Sequence, residues 1–402
     1  MPPIRRHGAE YGRPLVLNRF TLKGRATTAA TWSQHSGISL LEVMISIGVV
    51  GIGLIGVASL IPLAHYKAAQ GIRDDRKSMM GLRAFREFRI RDLDRPGDMS
   101  NPSDAPNPFW YWPSPGNPYA IYNLAGDGKL VRQAYCLDPM MIGFADLAGT
   151  SSSVAAFPLN APIAIPRVTL ISARPGDLRR QGPPGAINNQ LLNNPPIMSL
   201  AQAEEMFLLR DELVFDQPDD ATQPPFQRYL ENNKRYATGS YSWMATLVPD
   251  PIPTSDRYTL SIVVYYRRNL TITPPQETIA AVNIPMNQNG FRELTGVKTV
   301  AVESQQHAPP EAATVRDMKT GEWVALMQQV DPNYSNTITL RWYRILAADE
   351  VDNDLDNNRE LSLSGPDWSV TSNQPIYAVY ARNIIAVYEK SIRLQDNNLY
   401  AY

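Results

Sequence analysis

Asp352, Asp354 and Asp356 recur at every second position of DEVDNDLDNNRE, a spacing that can turn several carboxylates toward one hard cation such as Ca²⁺. The fit to an EF-hand loop is poor, because Asn357 stands where the sharp turn wants glycine and Leu363 where a bidentate glutamate should close the shell. A solvated acidic turn is the other reading of the same residues. Phe109, Trp110, Tyr111 and Trp112 form an aromatic run flanked by prolines. Exposed, these rings could stack on a sugar or a partner protein; folded back, they would cover a sheet. His7, His35, His65 and His307 are the only histidines, and three of them sit in or beside the N-terminal segment. A histidine-based triad or zinc cluster further along the chain is therefore not expected. The chain also lacks a phosphate-binding glycine loop and a Gly-x-Ser-x-Gly elbow, so no enzyme activity is expected.

A different kind of chemistry is posed by Glu42. From Val43 to Ala64 no residue is charged, and a helix of that length, about 33 Å at ~1.5 Å per residue, suffices to cross a hydrocarbon core of ~30 Å. Glu42 opens this span. A carboxylate at membrane depth costs roughly 2.5 to 3.5 kcal/mol on insertion scales, so it needs a partner or a purpose. In the first helical turn the macrodipole favours it. The apolar run is too long for a cleaved secretory peptide, whose core is ~7 to 15 residues.

The element that must position Glu42 is thus a long N-terminal helix, expected over residues 38–95 with its membrane span at about 43–64. Gly48, Gly51, Gly53, Gly56 and Pro62 lie inside it and are expected to loosen it locally. Beyond the span, Met79, Leu82 and Phe85, with Phe88 and Leu93 nearby, form an apolar stripe that should pack on a head domain. Pro96 and Gly97 are the expected stop. Residues 1–37 are basic, polar and without periodicity, which reads as a disordered leader with a targeting role. Both flanks of the span carry many Lys and Arg, so charge counting does not set its orientation.

Gly37, then Ile38, then Glu42 within an apolar run resembles the prepilin-type N-terminal segment of type IV pilins and type II secretion pseudopilins. The family most often has Phe where this chain has Ile38. The resemblance implies cleavage after Gly37 by a prepilin peptidase on the cytoplasmic face, N-methylation of Ile38, and assembly into a filament through the apolar helix. It also implies that Glu42 acts in assembly. A neighbouring subunit's Glu42 could neutralise the new terminal ammonium of Ile38 in a low-dielectric core and so favour one axial register. The implied partners are copies of the chain or other pilin-like subunits, the prepilin peptidase, inner-membrane assembly machinery and the lipid bilayer. The implied location is the inner membrane as precursor, with the head extracytoplasmic, then a periplasmic or extracellular filament. The competing class is a single-pass, membrane-anchored binding protein or adhesin that never polymerises.

Residues 96–402 read as a β-rich head, in which short runs of Val, Ile, Thr, Tyr and Trp alternate with Pro, Asn, Asp and Gly. RYTLSIVVYYRR alternates as a half-buried strand does. Ser199 with Gln202 makes a capping box, and so one helix, before LAQAEEMFLLRDEL. The expected fold class is α+β: a long membrane-spanning helix followed by a large, mainly antiparallel β-rich head. The 34 prolines cluster in segments that should form long loops. Lys and Arg number 38 against 39 Asp and Glu, too even a balance for a nucleic-acid binder. The single cysteine, Cys136, excludes an intrachain disulfide and is expected to be a small buried apolar residue. No cofactor is implied beyond the Ca²⁺ that the acidic turn could hold.

Overall fold

A helix, α1 (Leu40–Ile90), opens the described part of the chain. The structure is a computed structural model, and it describes residues 39–94, 110–111, 123–124, 130–131, 133–159, 161–172, 196–209, 240–250, 257–271, 276–285, 292–301, 318–331, 337–349, 358–368 and 372–394. The chain divides into two units, Met1–Lys67 and Ala68–Tyr402.

In the first unit, α1 starts at Ser39, whose hydroxyl accepts from the Leu41 N–H at 3.3 Å and whose carbonyl accepts from Val43 at 3.2 Å. The helix runs continuously through Gly48, Gly51, Gly53, Gly56 and Pro62. The physical reason is that a glycine keeps both its backbone hydrogen-bonding groups and loses only entropy, while Pro62 removes a single donor. The Ser59 hydroxyl adds a bond to the Gly56 carbonyl at 2.7 Å.

In the second unit, the later turns of α1 bury Met80, Gly81, Ala84 and Phe88. The expected stripe is therefore rotated: Met79 and Leu82 are exposed and Phe85 is half-buried. Steps of four hold Met80, Ala84 and Phe88 on one face, and the small residues let the helix come close to a sheet. A Cβ on Gly81 would lie 2.4 Å from the Tyr388 ring. Arg73 adds a cation over the Tyr266 ring at 5.7 Å. The helix ends at Ile90, before Pro96, because a Schellman cap stops it. Leu93 N–H donates to Phe88 O at 2.9 Å and Asp92 N–H to Arg89 O at 3.2 Å, with Asp92 left-handed at φ 52 and Leu93 buried.

Fifteen strands follow among the described residues: β1 (Trp110–Tyr111), β2 (Asn123–Leu124), β3 (Leu130–Val131), β4 (Tyr135–Leu137), β5 (Ala156–Phe157), β6 (Ile165–Leu170), β7 (Tyr241–Pro249), β8 (Arg257–Tyr266), β9 (Glu277–Asn283), β10 (Val297–Ala301), β11 (Trp323–Gln329), β12 (Ile338–Ala348), β13 (Asn358–Ser364), β14 (Ile376–Ala381) and β15 (Ile384–Arg393). The short α-helices α2 (Pro139–Leu147) and α3 (Leu200–Phe207) lie among them. The first sheet runs β1-β6-β4-β7-β8-β15, with β5 beside β6. Every pair in it is antiparallel except β4 with β6. Strands β9 to β14 close an antiparallel barrel in the order β10-β13-β12-β11-β14-β9. β2 and β3 pair with each other.

The barrel is an insertion. β8 and β15 are neighbours in the sheet, yet the whole barrel lies between them in sequence, and its first and last strands pair through Glu277 and Ala381. Three layers result. Trp243, Ala245, Leu247, Leu260, Ile262 and Val264 face α1 and α3, with Phe207 stacked on Trp243 at 4.3 Å. Cys136, Met244, Val263 and Tyr265 face the barrel wall of Ala325, Met327, Leu340 and Trp342. The Trp342 indole donates to Thr246 Oγ1 at 3.0 Å across that contact. The strand expected to be half-buried is thus buried on both faces, because the barrel covers the second one. The proline clusters at 101–118 and 180–197 fall mostly outside the described residues.

Candidate functional site

The first candidate is the α1 segment of the first unit. Every large apolar side chain from Leu40 to Leu63 is exposed, from 44% at Val43 to 79% at Leu40. At 1.5 kcal/mol or more each, leaving them in water would cost on the order of 20 kcal/mol. Among the described residues this one helix is long and apolar enough to span a membrane.

Glu42 is exposed in the first turn, three residues after Ser39, and among the described residues none pairs with its carboxylate. Ser39-Leu40-Leu41-Glu42 is also the S-x-x-E pattern of a capping box, of which the structure makes a Ser39 bond to a backbone N–H. Added Cβ atoms at Gly48, Gly51, Gly53 and Gly56 would meet nothing within 4 Å. Each of these glycines costs the helix roughly 0.8–1 kcal/mol against alanine without a packing need among the described residues.

Of the other residues singled out in the sequence, Gly37, Ile38, Phe109, Trp112, Asp352, Asp354 and Asp356 lie outside the described residues, as does the side chain of Tyr111. Trp110 is a correction. It is 1% exposed, sits edge-on to Tyr135 at 5.6 Å, and belongs to the helix-facing core. Its strand pairs with β6, which draws the ring under the sheet. Among the described residues no three of His, Cys, Asp and Glu are grouped to hold a metal.

The second candidate is a buried charge cluster where the barrel joins the sheet. Asp138 caps α2, with Pro139 in the first turn behind it, and its carboxylate accepts from Met141 N–H at 3.3 Å. Arg268, just past β8, grips the same carboxylate with two bonds of 2.8 and 2.5 Å. Arg167 of β6 lies 3.5 Å from Asp138 and 2.5 Å from Glu277, the first residue of β9. The four side chains are at most 6% exposed, and their charges cancel. Phe157 and Tyr265 place ring faces beneath Arg167 and Arg268 at 5.4 and 4.5 Å.

Burial would raise the Asp138 carboxyl, but the guanidiniums of Arg268 and Arg167 outweigh it and hold the group below the usual carboxylate range. Burial pushes the Cys136 thiol and the Tyr265 phenol up, so both stay neutral. The Tyr265 hydroxyl and the Cys136 thiol both point at the Met244 sulfur, at 3.3 and 3.9 Å. The cavity beside Arg268 and Glu277 holds about 10 Å³, room for one water. Such a cluster fixes the angle between barrel and sheet.

This cluster was missed in the sequence, although two signals were present: Asp138-Pro139 reads as a cap with proline behind it, and Arg167 is the one charge in IAIPRVTLI. Comparison with family models, with curated proteins and with solved structures gives no match.

Proposed function

We propose that this chain is a subunit of a pilin-like filament, either a type IV pilus or a type II secretion pseudopilus. In this reading it is inserted with its leader in the cytoplasm, cut after Gly37 and assembled through α1. The observation that carries the reading is the exposed apolar run of α1 with Glu42 in its first turn. Lipid covers that run in the precursor, and neighbouring subunits cover it in the filament. The Ile38 ammonium of one subunit then meets the Glu42 carboxylate of another, where the low dielectric makes the pairing worth far more than in water. The large head, with a barrel inserted in its sheet, fits a minor or tip component, where bulk is tolerated.

The Ser39 hydroxyl on the Leu41 N–H favours a second reading, in which Glu42 only completes a capping box and α1 is a permanent anchor. Glu42→Gln separates the two, since glutamine can serve the box but carries no charge. The filament reading predicts that Glu42→Gln and Glu42→Val both insert normally and both fail to enter filaments. Normal incorporation of Glu42→Gln would sink the charge-pairing step.

A further inference from the structure

Two arginines converge on one tyrosine in the second unit. Arg73 of α1 and Arg267, the residue after β8, place their guanidiniums 5.7 and 5.3 Å from the centre of the Tyr266 ring. Both arginines are exposed, and among the described residues neither meets a carboxylate. The helix positions that flank Arg73 on its own face, Ala69, Gln70, Arg76 and Lys77, include no acid. The backbone bends sharply to bring Arg267 to the ring. It is left-handed at φ 51 and is held by its surroundings: its N–H donates to Ser240 O at 2.5 Å, its carbonyl accepts from Asn383 Nδ2 at 3.2 Å, and the Tyr266 N–H donates to Asn383 O at 2.9 Å. A residue other than glycine is strained in that region and persists where its neighbours over-determine it. The next residue, Arg268, turns inward to Asp138. Pairing within the chain thus accounts for Arg268 and leaves Arg73 and Arg267 as two like charges around one ring.

Their place in the chain says which anion is at hand. Arg73 comes nine positions after Ala64, where the charge-free stretch ends, and nine residues of helix rise only about 13 Å at ~1.5 Å each. Side chains on a helix lean toward its N-terminal end, which for Arg73 is the direction of the span. Tyr66 and Lys67 come between them in sequence, an exposed aromatic with an ammonium 6.0 Å from its ring, a pair suited to a membrane surface. We infer that Arg73 and Arg267 together bind the phosphate of an anionic phospholipid in the leaflet from which α1 emerges, with the Tyr266 ring setting the spacing of the two guanidiniums. A guanidinium presents its N–H donors as a fork that matches phosphate oxygens, and each such bond is charge-assisted. The inference needs α1 to span a bilayer. It holds whether α1 later enters a filament or stays an anchor.

The test uses the full-length chain in nanodiscs of mixed phosphatidylcholine and phosphatidylglycerol. Spin-labelled forms of the two lipids report, by electron paramagnetic resonance, how strongly each is held at the protein surface. Wild type should prefer the anionic lipid, and Arg73→Gln and Arg267→Gln should each cut that preference about fivefold. Arg86→Gln with Arg89→Gln removes two exposed charges farther along α1 and should leave the preference unchanged. Tyr266→Phe should keep the preference and Tyr266→Leu should lose most of it, although both retain every charge. Inorganic phosphate should leave it in place at matched ionic strength. A wild-type chain without preference would overturn the inference, as would a loss from the Arg86 and Arg89 pair equal to that from Arg73 and Arg267. Displacement by phosphate, and not by chloride, would assign the site to a soluble phosphate compound and overturn the lipid. Thermal midpoints of the same samples separate misfolding from lost lipid.

Discussion

Arg167→Met tests what holds the inserted barrel in place. The Arg167 guanidinium is wholly buried, 2.5 Å from a Glu277 carboxylate that is 5% exposed and 3.5 Å from Asp138. At an effective dielectric of 20, the 3.5 Å pair alone is attractive by about 5 kcal/mol before desolvation is charged against it. Removing Arg167 leaves Asp138 with its two bonds from Arg268, but among the described residues Glu277 loses its one cationic partner. Breaking a buried pair from one side costs ~3–5 kcal/mol, because the remaining charge is still dehydrated. Arg167→Met together with Glu277→Leu removes both charges and should return stability to the wild-type level or above it by ~1–4 kcal/mol. The assay is urea unfolding of the full-length chain in detergent, followed by tryptophan emission, since Trp243 and Trp342 sit on the two faces of the sheet layer. A single variant costing under about 1 kcal/mol, or a double variant as unstable as the single, would refute the reasoning.

Acid should loosen the same joint. Asp138 is held below its ordinary pKa, so between the folded and unfolded values only the unfolded chain binds the proton; its contribution is intact above about pH 4 and is lost as pH falls through the depressed value. Unfolding free energy measured from pH 6 to pH 2 should fall in that window, and a flat profile there would contradict the pairing. Gly81→Ala places a Cβ 2.4 Å from the Tyr388 ring and should lower stability by ~1–3 kcal/mol in urea melts, with relief from Tyr388→Leu. Asp92→Gly sits at the left-handed helix cap, φ 52, and should raise stability by up to ~1 kcal/mol; a loss would mean that the Asp92 side chain matters more than its backbone. Cys136 should resist maleimide in the folded chain and react only on unfolding, because burial raises its thiol and closes access; labelling at native conditions would show an opening that the structure lacks.

Much of the architecture was legible because it rests on local pattern. The charge-free stretch after Glu42 reads as a long apolar helix, Tyr241–Pro249 as a strand, and Ser199 with Gln202 as a cap whose reciprocal bonds are both made. PIYAVYARNIIAVYEKSIRL reads on its pattern as one continuous strand, yet Asn383, left-handed at φ 68, divides it between barrel and sheet. No periodicity in a single segment says which sheet it joins. Glu277–Asn283 and Asn358–Ser364 are barrel strands whose sequences carry enough polar residues to read as loops. The insertion of the barrel and the Asp138–Arg167–Glu277 cluster are long-range facts: Arg167 and Glu277 are 110 positions apart and meet only because β9 starts beside β6.

The central claim is that α1 is made to leave the bilayer for a filament after its leader is cut away. Mass spectrometry of the chain isolated from its native membrane or surface fraction tests this most directly. The account predicts a chain that begins at Ile38 and carries a methyl group on its terminal amine. A membrane-bound chain that still bears residues 1–37 would contradict it.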